Sequence, residues 1–203
     1  AVPDSLAVLP AVESYEDVQL ALNELLNEEH DYKCLIVDTL GGVEALIHAH
    51  TCDIHYGGNM TGKGFLNFMQ GYETALDYVR EFTYMLDKLR DQKQMSIMML
   101  AHVRIKSHKN PIGSDYDRYV AKCHDKTWEV IKGWADAVLF ANYDVEVDSK
   151  GKGRGGNTRT LHTEYSPAYD AKNRFGLPRE IDMGGSGKDA WMNLQAAMKE
   201  SLK

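Results

Sequence analysis

The stretch KCLIVDTL, residues 33–40, decides the fold, because four apolar residues run directly into the acid Asp38. A short apolar run without polar alternation is typical of a central parallel strand that is covered on both faces. Parallel strands belong to α/β proteins, whose ligands bind beyond the carboxyl ends of the strands. Asp38 lies at that end, where its carboxylate either holds a magnesium ion, usually through water, or serves only as a helix cap or turn residue.

The sequence around this strand predicts helices and further strands. Ser14 and Asp17 have the spacing of a capping box, which predicts a helix to about residue 29. Patterning then predicts a helix at 43–52, a loop at 53–64, an amphipathic helix at 65–89, a strand at 95–103, a polar loop at 104–121, a helix at 124–134, a strand at 137–142 and a hairpin at 143–165. This order predicts an α/β fold with a mostly parallel sheet flanked by helices and an antiparallel β-hairpin at its carboxyl-terminal edge.

Composition and charge narrow the class of protein. The 203 residues include 43% hydrophobic and 26% charged residues, which is ordinary for a soluble globular protein. The sequence has no apolar run long enough to cross a membrane and only three cysteines. We therefore expect a soluble cytoplasmic protein that does not bind membranes. The net charge of -7 argues against a generic nucleic-acid binder. Bases nevertheless outnumber acids at 104–126 and 150–174, which indicates either a basic face or ordinary solvated loops.

A phosphate-binding P-loop is not found in the sequence. The segment GGSGK at 184–188 is the best match, but Asp189 replaces the required Ser or Thr, and Asp182 stands where the pattern needs the first Gly. A metal site is a further possibility, since His48, Cys52 and His55 would share one face of a continuous helix. The alternative is that these three are polar or half-buried side chains without a ligand.

The segment YDAKNRFGLP, residues 169–178, follows the predicted hairpin and contains two cations one residue apart. In extended backbone Lys172 and Arg174 point to the same side and could converge on one anion such as a phosphate. The alternative is a solvated loop with scattered bases.

Taken together, the order of these motifs resembles the RecA-like recombination ATPases, and most closely the phage-encoded AAA-family ATP-binding proteins linked to single-strand annealing. The match covers most of residues 14–180. Four segments carry it: LIVDTL (35–40), MMLAHV (98–103), WADAVLFANY (134–143) and AYDAKNRFGLP (168–178).

The resemblance implies a RecA-like P-loop NTPase core at residues 1–183, a tail or helix at 184–203, and ATPase activity with ATP and Mg as cofactors. Asp38 looks like the Walker-B carboxylate, which holds Mg through water, with Thr39 as its neighbour at the cofactor. His102 resembles the residue that senses the γ-phosphate, a position at which RecA has glutamine. Lys172 and Arg174 look like the paired cations that such proteins insert into the ATP site of the next subunit.

The same resemblance implies single-stranded DNA as a partner and self-association into a filament or ring, in the bacterial host cytoplasm if the protein is phage-encoded. The two DNA-contacting loops would lie at 53–64 and 104–121. Cations that follow phosphates and aromatic rings that stack on bases suit this role. The candidate DNA-binding residues are Lys63, Arg104, Lys106, Lys109, Tyr116, Arg118 and Tyr119.

The sequence departs from this family at its front, where a strand, a P-loop, a helix and a second strand are expected before residue 1. We expect the chain to be a fragment of a longer product, and therefore to expose an apolar sheet edge and to associate. The main function predicted is an ATP-dependent protein that binds single-stranded DNA in phage recombination or annealing. The alternatives are a non-catalytic DNA-binding or scaffold module on a degenerate RecA-like core, and a RecA-like helicase or clock-type ATPase.

Overall fold

A computed structural model describes residues 6–147 and 153–201. The chain divides into two compact units, which are treated separately below. Unit 1 comprises residues 1–102 and 121–134, and unit 2 comprises residues 103–120 and 135–203. Among the described residues, no helix is both long enough and apolar enough to cross a membrane.

Unit 1 is a helical layer around a small parallel sheet. Its elements are α1 (Tyr15–Asn27), β1 (Cys34–Asp38), α2 (Leu40–Tyr56), a 3-10 helix (Asn67–Met69), α3 (Gln70–Lys93), β2 (Ser96–Leu100) and α4 (Asp125–Trp134). The apolar stripes of these helices form the main core, whose most buried members are Tyr15, Ile47, Val79, Phe82, Leu86, Leu89 and Met95. Burial of these stripes is what holds the helices in place, because isolated helices of this length are marginal in water.

Helix α1 begins where its sequence predicts. The Ser14 hydroxyl accepts a hydrogen bond from the Asp17 backbone N–H at 3.1 Å, and the Asp17 carboxylate accepts one from the Ser14 N–H at 2.9 Å. These reciprocal bonds form the predicted capping box and satisfy backbone donors that a helix start leaves unpaired.

Strands β1 and β2 pair in parallel, with Cys34 opposite Ser96 and Asp38 opposite Leu100. Both strands are confirmed, but the prediction of a strand covered on both faces is wrong. Residues along β1 alternate between exposed and half-buried, and Ile36 keeps 47% of its surface exposed. The apolar run therefore reflects one packed face and one open face within unit 1.

Unit 2 is built from small sheets and one helix. Its elements are β3 (Val103–His108), β4 (Tyr116–Ala121), β5 (Ala137–Val138), β6 (Phe140–Val147), β7 (Gly153–His162), β8 (Lys172–Asn173), β9 (Glu180–Asp182) and α5 (Gly187–Ser201). Strands β6 and β7 form the predicted antiparallel hairpin, and β9 adds to β7. Residues 148–152, at the predicted turn, lie outside the described residues. A small core of Leu177, Ile181 and Ala197 joins α5 to this sheet.

The sheet is not the mostly parallel one that the sequence predicts. In the described part of the chain, β1–β2 is parallel, while β5–β8, β6–β7 and β7–β9 are antiparallel. The predicted strand at 137–142 divides into β5 and β6, which find partners downstream in the chain rather than in β1 or β2. The described residues thus form a mixed α/β structure of five helices and small sheets.

Two predicted loops also differ. The polar loop predicted at 104–121 is wrong, because β3 and β4 pair there. Its polar character comes from solvent exposure, since every residue of β3 except His108 is exposed. The loop predicted at 53–64 starts later, because α2 continues to Tyr56 and ends on Gly57, whose φ of 59° is the left-handed conformation that glycine adopts readily.

Candidate functional site

Two polar residues of unit 1 lie at the carboxyl ends of the parallel strands. Asp38 is the last residue of β1 and pairs in register with Leu100, the last residue of β2. His102 follows Leu100 by two residues. Because parallel strands end at the same edge of a sheet, Asp38 and His102 lie at one rim, the place where α/β sheets bind ligands.

The helix that follows β1 is capped by Thr39 and not by Asp38. The Thr39 hydroxyl accepts a hydrogen bond from the Gly42 N–H at 3.3 Å, and the Thr39 carbonyl accepts from the Gly42 and Val43 N–H groups. Asp38 is exposed, and among the described residues its carboxylate has no hydrogen-bond or ion-pair partner. The alternative role of Asp38 as a helix cap is therefore taken by its neighbour, which leaves the carboxylate available to a ligand.

A third chain segment is fixed at the same rim. The Lys122 backbone N–H donates to the His102 carbonyl at 2.7 Å. The Lys122 carbonyl also lies 3.2 Å from the position that a Cβ on Gly41 would occupy, so this segment approaches the first turn of α2 closely. In the sequence Lys122 is one of several bases within 104–126, and no local pattern distinguishes it from the others. In the structure its two neighbours, Ala121 and Cys123, are both buried.

A cluster of polar side chains within unit 1 contacts residues 121–124. The Glu44 side chain is buried and accepts a hydrogen bond from the His124 backbone N–H at 2.8 Å. Tyr72 stacks on the His124 ring with centroids 4.0 Å apart, and His48 Nε2 lies 3.9 Å from the Glu44 carboxylate. Burial lowers the pKa of His48, and a charge on His124 would lower it further, while Glu44 acts in the opposite direction. We interpret the cluster as the support of residues 121–124.

His48, Cys52 and His55 lie on one continuous helix, as the zinc hypothesis requires, yet they are engaged separately. Cys52 is buried, and His55 Nε2 hydrogen-bonds the Tyr78 hydroxyl at 3.0 Å. His48 packs against the rings of Phe65 and Tyr72. In the part of the chain that the structure describes, no group of three or more His, Cys, Asp or Glu residues could hold a metal ion.

The paired cations lie in unit 2. Lys172 is in β8, while the Asn173 side chain turns inward and donates to the Thr163 hydroxyl and carbonyl. Arg174 forms an ion pair with Asp136 at 3.1 Å, in which both side chains remain about half exposed. Such half-exposed ion pairs contribute little to stability.

The candidate DNA-binding residues fall into two groups. Arg104 and Lys106 lie on one side of β3, because alternate residues of a strand share a face. Lys63 is exposed in the turn that follows α2. Four further candidates make contacts within unit 2: Lys109 pairs with Asp115, Tyr116 packs against His108, Arg118 pairs with Asp170, and Tyr119 packs against Phe140.

The Gly-rich segment 184–188 follows a strand, β9, and overlaps the start of α5. The Gly184 N–H donates to the Asp182 carboxylate, and the Ser186 hydroxyl donates to Asp189, whose own N–H donates to the Ser186 hydroxyl. The Gly184 N–H is thus bonded to a carboxylate of the chain itself, whereas a P-loop directs its backbone N–H groups at a phosphate.

The fold and the strand-end rim define an α/β protein with a candidate ligand site at the carboxyl edge of a parallel strand pair. A family model described as AAA domain matches residues 5–175, and the chain belongs to that family. Searches of curated proteins and of solved structures found no match. Membership of the AAA domain family indicates a P-loop NTPase-like protein with nucleotide-dependent activity.

Proposed function

We propose that this protein is a RecA-like ATPase whose ATP site includes the rim of β1 and β2, and whose nucleotide state controls its binding to single-stranded DNA in phage recombination or annealing. The observation that carries the proposal is that Asp38 keeps an unpartnered carboxylate at the strand ends while the Thr39 cap fixes the backbone next to it. The AAA domain family membership supports the nucleotide as the ligand.

The residues at the rim suit magnesium and ATP. Mg²⁺ keeps several of its waters and needs only one or two carboxylates besides the phosphates, so Asp38 alone is an adequate protein partner. When bound, the ion neutralises charge on the β- and γ-phosphates. Asp38 would hold the waters of that ion, and Thr39 would fix the backbone beside it through its cap on α2. His102 would contact the terminal phosphate.

We further propose that Lys172 and Arg174 act in the ATP site of a neighbouring subunit in a filament or ring. The exposure of Arg174 supports this, since about half of its side chain is open to solvent. Cations that reach an ATP site in this way stabilise the transition state by roughly 10³–10⁵ in rate in the proteins where this has been measured.

The binding of single-stranded DNA is assigned to the exposed face of β3 that carries Arg104 and Lys106, with Lys63 as a separate contact. Their charge would track the phosphates, and binding should weaken with salt by a log–log slope of about -0.7 for each neutralised phosphate. Arg118 and Tyr119 are less suited to this role because each is packed within unit 2.

The test compares two variants of the full-length protein. Asp38→Asn should lower magnesium-dependent ATP hydrolysis by roughly 10- to 100-fold, as expected for a residue that acts on a metal through water. Lys172→Ala should abolish the DNA-stimulated rate but leave ATP binding largely intact. Asp77→Asn is a matched control, because Asp77 is an exposed aspartate that pairs with Arg80 on α3.

Two results would contradict the proposal. Failure of the wild-type protein to bind magnesium-ATP at all would favour the non-catalytic DNA-binding or scaffold module. If Asp38→Asn hydrolyses ATP as fast as Asp77→Asn does, the rim of β1 and β2 is not part of the ATP site. Replacing Arg104 and Lys106 together with Ala should flatten the salt dependence of DNA binding, and an unchanged slope would exclude β3 as the DNA contact.

A further inference from the structure

We infer that Lys122 binds the phosphates of the nucleotide within the same subunit as Asp38. This inference rests on the proposed function and adds to it a phosphate-binding cation that the sequence motifs do not identify. The observation behind it is that the backbones of three chain segments meet at the rim of unit 1, and these segments carry Asp38, His102 and Lys122.

The backbone of Lys122 is held from three directions. Its N–H is bonded to the His102 carbonyl, and its carbonyl is packed against Gly41. Two residues further on, the His124 N–H is bonded to the buried Glu44 carboxylate. A backbone fixed in this way places the start of the lysine side chain with little freedom, which reduces the entropy lost when the side chain binds a ligand.

The side chain itself is exposed, although its neighbours Ala121 and Cys123 are both buried. Among the described residues the Lys122 ammonium has no hydrogen-bond or ion-pair partner. Nearby Lys126, by contrast, forms an ion pair with Glu73. Of these two exposed lysines, the one at the strand-end rim is therefore the one left without an internal anion.

A polyphosphate is the ligand class that this arrangement suits. Lysine is a compact point charge on a flexible stem and is a regular phosphate ligand. In this assignment Asp38 would hold the magnesium ion through its waters. Lys122 would supply a positive charge to the phosphates without competing for the metal. This assignment differs from that of Lys172 and Arg174, which we place in the site of a neighbouring subunit.

The matched experiment is calorimetric titration of the full-length protein with magnesium-ATP, magnesium-ADP and AMP. Lys122→Ala should weaken ATP and ADP binding by roughly 10- to 100-fold, the range for losing one charge-assisted hydrogen bond. AMP, which lacks the β- and γ-phosphates, should be affected much less. Lys122→Arg should retain most of the affinity, and the control Lys126→Ala should bind like the wild type, with circular dichroism and thermal unfolding confirming the fold of each variant.

Each outcome separates the two proposals. If Lys122→Ala binds magnesium-ATP as tightly as the wild type while Asp38→Asn impairs hydrolysis, the role of Lys122 is refuted and the ATP site stands. If Lys122→Arg loses as much affinity as Lys122→Ala, the charge-based role is also refuted. If the wild-type protein binds no nucleotide, both this inference and the proposed function fall together.

Discussion

Replacing Arg118 should destabilise unit 2, even though the sequence assigned this residue to DNA binding. Its guanidinium lies 2.9 Å from the Asp170 carboxylate, and the two side chains are only 12% and 15% exposed. Arg118→Met removes the cation but keeps most of the side-chain volume, so the largely buried Asp170 carboxylate loses its charged partner Arg118. Breaking a buried pair costs about 3 kcal/mol at the lower end of its range. With a typical urea dependence, this lowers the unfolding midpoint by about 1–2 M.

The assay is urea unfolding followed by circular dichroism, with Lys109→Met as the matched control. Lys109 pairs with Asp115 in the segment that connects β3 and β4, at a similar distance, but its side chain is 91% exposed, so its loss should change the midpoint little. Combining Arg118→Met with Asp170→Leu should restore part of the lost stability, because the buried carboxylate that loses the Arg118 cation is then also replaced by an apolar group. An Arg118→Met midpoint equal to that of Lys109→Met would refute the structural role and return Arg118 to the candidates for DNA binding.

Two further predictions concern unit 1. Burial lowers the pKa of His48 in the folded protein, so the unfolded chain binds the proton more readily. The contribution of neutral His48 to the free energy of unfolding should therefore be fully present above pH 7 and should decrease as the pH falls below about 6.5. His48→Gln should flatten this decrease in urea midpoints measured from pH 5 to 7.5. A wild-type midpoint that does not change over this range would contradict the burial of a neutral His48. Gly42→Ala should stabilise α2 by about 0.5–1 kcal/mol, since the new Cβ meets only the Thr39 hydroxyl at 3.9 Å. Gly41→Ala should stabilise the helix less, because its Cβ would lie 3.2 Å from the Lys122 carbonyl. Equal gains in thermal stability for the two glycine variants would contradict the close approach at Gly41.

Local signals in the sequence predicted much of unit 1. The capping box at Ser14 and Asp17 depends on residues three positions apart, and the structure contains it. The strand ending at Asp38 was likewise visible as a contiguous apolar run. What the sequence did not show was pairing between distant segments. Strands β5 and β6 pair with β8 and β7, and no local pattern in 137–142 distinguishes those partners from a central parallel sheet.

The site shows the same division between local and distant signals. Asp38 and His102 could be predicted because each follows an apolar strand, and the end of a strand is recognisable from sequence. The position of Lys122 could not be predicted, because it depends on a backbone hydrogen bond to His102 and on close packing against Gly41. These two residues lie some 20 and 80 positions away along the chain. The polar loop predicted at 104–121 failed for a related reason, since an exposed pair of strands has the composition of a loop.

An unpartnered exposed lysine or aspartate is by itself weak support for a binding site, because water satisfies such groups at almost no cost. The rim has a second property, because its backbone and its charged side chains differ in how firmly they are held. Around Asp38 and Lys122 the backbone is fixed by a helix cap, a carbonyl bond and close packing against Gly41, while the charged ends remain uncommitted. Binding sites need this combination, since a rigid support lowers the entropy cost and an uncommitted charge avoids breaking an existing pair. If it operates here, Gly41→Ala, which displaces the backbone of Lys122 without touching its charge, should weaken ATP binding in the same direction as Lys122→Ala, whereas Gly42→Ala should not.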